Sequence, residues 1–148
     1  MTAKTASNAA LITFPRATGG TEIATHFGIG TSPTGAGKML YIKALDSTLA
    51  ISNNIQPQYA IGALTVTVAG GVSDSWNNDA LGHVFLNSAI TLIGDAAGLL
   101  GSTVAGNLYI SLHTADPGAA GTQATSECAY PPYARVAASR TAGGWTVA

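Results

Sequence analysis

One segment of this 148-residue chain constrains the fold more than any other, because it combines a strand pattern with a sharp turn. Residues 108–113 read Leu-Tyr-Ile-Ser-Leu-His, and apolar residues at every second position indicate a β-strand with one buried face. Asp116, Pro117 and Gly118 follow. The proline fixes φ at the second turn position and the glycine tolerates positive φ at the third, as in a type II turn. The segment is typical of a β-rich fold.

Shorter strand patterns recur along the rest of the chain. Clusters of Gly, Pro and Asn separate candidate strands at residues 9–14, 23–29, 39–45 and 59–68. Seven or eight short strands, with a turn signal about every ten residues, predict an all-β protein. The expected architecture is a jelly-roll or related β-sandwich with one short helix.

The one helical pattern lies in residues 73–88. Trp76, Ala80, Val84 and Phe85 fall near one face at helical spacing. A serine at position 73 or 75 can cap the first turn, because its side-chain oxygen can accept a backbone N–H. We therefore predict a single helix of two or more turns in this segment.

The composition of the chain changes near residue 20. Residues 1–20 are small and polar apart from the apolar run at 9–14, and a proline and a glycine pair end that pattern. We expect an N-terminal arm of residues 1–20 with one short strand that can add to a sheet edge. Residues 21–148 are expected to form a single β-sandwich domain, in which the apolar, glycine-rich residues 89–104 form a β-rich connection.

Charged residues are scarce, at 9% of the chain against about 25% in a typical soluble domain. Exposed surfaces normally carry Lys and Glu for solubility, so the shortage predicts that partners cover much of the exterior. A monomer with a Ser, Thr and Asn surface is the alternative. The formal net charge of −1 and the scattered basic residues disfavour direct binding to nucleic acid.

Cysteine usage and hydropathy bear on the cellular compartment. Cys128 is the single cysteine, so an internal disulfide and a secreted disulfide scaffold are excluded. The pattern of a signal peptide is not visible, and the apolar runs fall short of the ~20 residues that a membrane span requires. We expect synthesis in the cytoplasm and no membrane partner.

The residues with potential chemistry do not form a recognisable catalytic or metal-binding pattern. Residues 32–39, Ser-Pro-Thr-Gly-Ala-Gly-Lys-Met, lack the first glycine and the Ser or Thr of a phosphate-binding loop, and a turn is expected instead. His26, His83 and His113 lack a second ligand at zinc spacing, and Asp116 fits a turn residue. A Gly-x-Ser-x-Gly elbow is missing as well. We therefore expect no enzyme, no metal and no cofactor.

Several apolar and aromatic residues are candidates for an interface. Residues 130–133, Tyr-Pro-Pro-Tyr, can form a polyproline recognition surface or a rigid loop. Trp145 can anchor an interface or cover the core of its own chain. The predicted interface residues are Leu11, Ile12, Phe14, Tyr130, Tyr133 and Trp145.

The C-terminal half resembles a known family in its motifs. The strand and turn at 108–118, then Glu127, residues 133–135 and residues 144–145, resemble small virion structural proteins of tailed bacteriophages. Residues 76–85 are similar to the element that precedes this motif in those proteins. Some members of the family carry the label of tail fibre protein, and others are capsid cement or decoration proteins.

The resemblance implies a role in the virion. As a cement protein, the chain would bridge neighbouring major capsid protein subunits as a homodimer or higher assembly and stabilise the DNA-filled head. A compact domain without heptads or a fibrous repeat favours this role over a fibre. The alternative is a tail or tail-fibre component that binds a host receptor or glycan, for which residues 76–79, Trp-Asn-Asn-Asp, are the fitting cluster. Either protein would be made in the cytoplasm of the bacterial host.

Overall fold

The computed structural model of the chain describes residues 3–148. In chain order its elements are β1 (Lys4–Asn8), β2 (Ile12–Thr13), β3 (Thr21–Gly30), β4 (Met39–Ser52), β5 (Gln58–Tyr59), β6 (Thr65–Val68), α1 (Asp74–Leu86), β7 (Asn107–His113), β8 (Val136–Ser139) and β9 (Trp145–Val147). The predicted fold class is confirmed, because the strands of this range form three sheets beside one short helix, in agreement with an all-β sandwich. The helix in residues 3–148 is not long and apolar enough to cross a membrane.

The described chain divides into two compact units, each built from separate stretches of sequence. The first unit contains the described residues up to Leu11, Ala60–Asn107 and Ala138–Ala148, and the second contains Ile12–Tyr59 and Leu108–Ala137. The predicted arm of residues 1–20 and domain of residues 21–148 stay predictions. Residues 1 and 2 of that arm lie outside the described residues.

The first unit is built on a three-stranded antiparallel sheet in the order β6-β1-β9. The N-terminal strand β1 is central, with Ala6 opposite Val66 on one side and opposite Val147 on the other. Helix α1 packs against β1 and β9. The ring of Phe85 from the helix lies 4.7 Å from that of Trp145 from β9, so these two aromatic residues form the centre of the core of this unit.

The helix forms where the sequence predicts it. Ser73 caps the first turn by accepting the backbone N–H of Trp76 at 3.2 Å, and the helix ends at Asn87, which has a left-handed φ of 57°. Of the predicted face, Phe85 is buried, whereas Trp76 is exposed. The buried side of the helix instead contains Asn77, Leu81 and Phe85, which follow one another at intervals of four residues.

Two predicted strands differ from the structure, and one side chain lies beside both differences. Only Ile12 and Thr13 of the run at 9–14 form a strand, β2, whereas the run at 59–68 is divided between β5 and β6. Asn8, which is completely buried, donates from Nδ2 to the carbonyl oxygens of Ala10 and Ala60, both at 2.8 Å. Its Oδ1 accepts the backbone N–H of Leu64 at 2.9 Å. The Asn8 amide therefore satisfies backbone groups that a continuous strand would pair with a neighbour.

The second unit contains most of a four-stranded sheet in the order β4-β3-β7-β8, together with the short pair β2 and β5. Strand β7 follows the predicted alternation at Leu108, Ile110 and Leu112, which are buried. Ser111 and His113 on the other face are buried as well. They are accommodated because Ser111 Oγ lies 2.8 Å from His113 Nε2, and His113 Nδ1 lies 2.8 Å from the carbonyl oxygen of Thr125.

Strand β4 is longer than the sequence indicates, and it contains a bulge. Ala24 of β3 pairs with Leu49, and His26 pairs with Ala44, so residues 45–48 of β4 lie opposite Thr25. Three residues more than a regular ladder requires are thereby inserted into an edge strand. The bulge interrupts the outer row of backbone N–H and C=O groups that an edge strand presents.

Candidate functional site

Most of the predicted interface residues are buried in the chain. Ile12, Phe14, Tyr130 and Trp145 are buried, Tyr133 is half-buried, and Leu11 is exposed. Leu11 and Trp145 belong to the first unit, and the other four belong to the second. Trp145 packs on Phe85 and therefore serves the free chain as a core residue, which was the alternative to an interface anchor.

Three of these residues do meet, but they meet in the core of the second unit. The rings of Phe14 and Tyr133 are stacked 6.1 Å apart, and Tyr130 meets Tyr133 edge to face at 5.3 Å. The hydroxyl of Tyr130 donates to the carbonyl oxygen of Pro15 at 3.0 Å. With its tyrosines held in this way, the Tyr-Pro-Pro-Tyr segment forms a rigid loop in the described structure and does not present both rings to a partner.

The motif residues Glu127, Tyr133 and Arg135 form a buried ion-pair network. Arg135 donates from Nε and Nη2 to the two carboxylate oxygens of Glu127, both at 2.7 Å, and Tyr133 donates its hydroxyl to Glu127 at 2.9 Å. The remaining donors of Arg135 bind the carbonyl oxygens of Ser32 and Gly35 at 2.9 and 2.7 Å. The arginine side chain is 3% exposed, and the bonds to Glu127 raise the pKa of its guanidinium. The network therefore holds the turn between β3 and β4.

Gln123 holds the same turn, and sequence reasoning missed it. Its Oε1 accepts the backbone N–H of Ser32 at 2.9 Å, and its own backbone N–H donates to the carbonyl oxygen of Gly37 at 2.9 Å. A Cβ at Gly30 or Gly37 would overlap the glutamine side chain. Gly30 and Gly37 therefore leave room for Gln123, and β4 follows the Ser-Pro-Thr-Gly-Ala-Gly-Lys run at Met39, as expected for a turn. Nothing in the local pattern around position 123 signals this contact.

The residues with catalytic potential are enclosed. Ser111 and His113 lie within hydrogen-bonding distance and are both completely buried, and burial lowers the pKa of His113. Burial also raises the pKa of the Cys128 thiol to about 12, with Glu22 adding to the shift, so the thiol stays protonated at neutral pH. Within residues 3–148, no group of three or more His, Cys, Asp or Glu side chains is arranged to hold a metal ion.

Asp116 acts as a turn residue in the structure. Its Oδ1 accepts the backbone N–H of Gly118 at 2.8 Å, and Gly118 has the positive φ of 72° that the sequence pattern predicts. The carboxylate therefore binds the backbone of its own turn, two residues away.

The most exposed apolar surface lies in a segment that sequence reasoning treated as a connection. We name residues 88–106 the apolar loop; its sole β pairing is the bridge between Ile90 and Leu99, so the expected β-rich structure is largely missing from it. Leu92, Leu100 and Val104 are 80%, 68% and 78% exposed. Ile93 and Leu99 are exposed as well. Exposed apolar side chains grouped in one segment are typical of a surface that contacts another molecule.

Comparison with known proteins relates the N-terminal part of the chain to a phage family. Residues 1–67 match the family model of the podophage GP4 fiber I protein gp80. No curated protein matches the chain, and no solved structure matches it. The matched residues precede the C-terminal motifs at 108–145, and those motifs also resemble virion proteins of phages. The match therefore supports a bacteriophage structural protein with a place in the virion.

Proposed function

We propose that this protein is a structural component of a bacteriophage tail fibre or of its attachment to the particle. The observation that carries the proposal is the match of residues 1–67 to a podophage fiber protein family. The matched range includes all strands from β1 to β5 and the first part of β6, so the likeness extends over complete structural elements. A host receptor or glycan would be the partner of such a protein at the bacterial surface.

Capsid cement is the second candidate, and two observations favour it. The C-terminal motif resembles proteins that include decoration proteins of the head. The described chain also forms two compact units without the extended repeats of a fibre shaft. In this role the protein would bind the major capsid protein as a homodimer or higher assembly and strengthen the DNA-filled head through many repeated contacts.

In both roles the protein performs no chemistry. The burial of Ser111, His113 and Cys128 supports this part of the proposal, because a nucleophile needs access to its substrate. The polar network of Glu127, Tyr133 and Arg135 serves the turn between β3 and β4, and its donors are largely occupied.

Antibody labelling of purified virions separates the two candidates. A fibre protein should be labelled at the tail and should be far less abundant than the major capsid protein in quantitative mass spectrometry of the particle. Label over the whole head, at a copy number near that of the major capsid protein, would replace the fibre role by cement. Absence of the chain from purified particles would contradict both roles.

A further inference from the structure

A pocket of the first unit lies between helix α1 and one end of the sheet. The helix packs against β1 and β9, and these two strands pair with each other, so the start of β1 and the end of β9 meet beside the helix. The pocket has a volume of about 460 Å³, which is within the ~300–1,000 Å³ of typical small-molecule sites. Its lining includes four polar residues, Lys4, Asn78, Asp79 and Ser88, and the apolar residues Leu86 and Val147.

The polar side chains of this pocket are not used to hold the chain. Within residues 3–148, none of these four side chains takes part in a hydrogen bond or an ion pair. A smaller pocket of about 240 Å³ in the second unit differs, because it is lined by Glu127, Tyr133 and Arg135, whose polar atoms bind one another. The pocket of the first unit therefore offers an ammonium, an amide, a carboxylate and a hydroxyl to a bound molecule.

Gly82 also lines the pocket, and it points to an occupant. Glycine weakens a helix interior relative to alanine. A Cβ at this position would meet only the side chain of Ser88, at ordinary contact distances of 3.7 and 3.8 Å, and the φ of Gly82 is not positive. Neither close packing nor backbone conformation therefore requires a glycine in this turn of α1. Its consequence is open volume in the pocket, which a bound molecule can fill.

We propose that the pocket binds a neutral sugar residue of a glycan. Sugar hydroxyls both donate and accept hydrogen bonds, which matches the carboxylate of Asp79, the amide of Asn78 and the ammonium of Lys4. Leu86 and Val147 offer an apolar surface to the C–H groups of a sugar ring. One ammonium and one carboxylate leave these side chains without net charge, so a charged ligand is disfavoured.

The helix divides the Trp-Asn-Asn-Asp cluster of residues 76–79 between two surroundings. Asn77 is buried, whereas Asn78 and Asp79 line the pocket. Trp76 is 43% exposed and precedes Asp79 by three residues, a spacing that makes them neighbours on a helix surface. An exposed indole beside a polar pocket can cover the apolar face of a second sugar residue. A glycan of two or more residues is therefore the expected occupant.

Heteronuclear NMR of the full-length protein, labelled with nitrogen-15, tests the proposal. The probes are glucose, galactose, mannose, rhamnose and N-acetylglucosamine, each as the methyl glycoside and as a disaccharide. We expect at least one probe to shift the amide signals of Asn78, Asp79 and Ser88 saturably, with a dissociation constant on the order of 1 mM. Glucuronic acid and glucose 6-phosphate are the charged probes, and they should bind about tenfold more weakly than the best neutral probe.

Substitutions at two positions separate binding from folding. Gly82→Ala should raise the melting temperature by about 2–4 °C, because alanine favours the helix. Gly82→Leu should weaken sugar binding about tenfold or more, because the added side chain fills the pocket. Asp79→Asn removes the carboxylate and should also weaken binding about tenfold. Its matched control is Asp46→Asn, the same change at an exposed position of the second unit, which should bind like the wild type.

Three binding results would overturn the proposal: no saturable shift at the pocket with any probe at about 50 mM, binding that Gly82→Leu and Asp79→Asn leave unchanged, or tighter binding of the charged probes than of the neutral ones. A lower melting temperature of Gly82→Ala would show that the fold needs this glycine and would also contradict it. The inference deepens the proposed function and rests on it for its biological setting, since a glycan of the bacterial surface is a partner for a fibre. The two fail separately, because labelling of virions tests location and NMR tests the pocket.

Discussion

At the scale of single residues, several of the few charged and amide side chains of this protein bind backbone groups. Glu22 accepts the N–H groups of Ala129 and Tyr130, and Arg140 donates to the carbonyl oxygens of His83 and Val84. Together with Asn8, Gln123 and Arg135, these side chains bind segments that are distant in sequence. The chain has few charged residues, and some of these are engaged in internal contacts. Both facts lower the charge that remains on the surface.

Gln123→Ala should lower the free energy of unfolding by about 1–3 kcal/mol, because it leaves the half-buried N–H of Ser32 without its acceptor and opens space against Gly30 and Gly37. Urea denaturation followed by circular dichroism measures the change. Gln58→Ala is the control, since Gln58 is exposed in β5 and should change the stability by less than about 0.5 kcal/mol. Equal stability of the Gln123 variant and the wild type would show that the turn does not need this side chain.

At the scale of elements, the local sequence predicts those helices and strands in which buried and exposed residues alternate with a regular period. The helix between Ser73 and Ser88 and strand β7 could be predicted, because their caps, spacing and turn signals lie within a few residues of each other. Strand β1 was missed, since Lys4–Asn8 is a polar sequence whose partners β6 and β9 lie far along the chain. The apolar loop was misread for a related reason, because its apolar side chains are exposed and hydropathy does not distinguish a buried run from an exposed one.

Removing the bulge of β4 should promote polymerisation through the sheet edge. Deletion of residues 46–48 would let β4 pair in one continuous register with β3 from Thr21 to Ile29, and would give a longer regular outer edge. We expect the deletion variant to form large assemblies that bind thioflavin T, whereas the wild type does not. Asp46→Asn is the control for the lost charge and should behave like the wild type. A deletion variant that keeps its fold and the sedimentation of the wild type would contradict this role of the bulge.

At the scale of the whole molecule, the charge balance separates this protein from nucleic-acid-binding proteins of the virion. Six basic and seven acidic residues give a formal net charge of −1, and Arg16, Arg135 and Arg140 already bind backbone carbonyls within the chain. Few cations are left to release counterions from DNA, which is the main source of non-specific affinity.

We therefore expect the purified protein to bind double-stranded DNA no more tightly than about 10⁻⁴ M at physiological salt, the weak end of non-specific binding. Fluorescence anisotropy of a labelled duplex at several salt concentrations measures this affinity. Tight binding that weakens steeply as salt increases would reveal a basic surface and contradict the prediction. A basic DNA-binding protein of similar size, assayed in parallel, shows that the measurement detects such binding.

The pairing of β1 with β9 determines how late in translation the first unit can finish folding. Asn8 lies opposite Trp145, and Thr5 exchanges two backbone hydrogen bonds of 2.9 Å with Ala148, so one side of β1 has no partner until more than 130 further residues have been translated. Products of premature termination lack β9 and Trp145, and thus cannot close this sheet. Synthesis to the end of β9 is therefore a condition for a finished first unit, and truncated chains would reach the assembling particle with an open strand that proteases and chaperones can recognise.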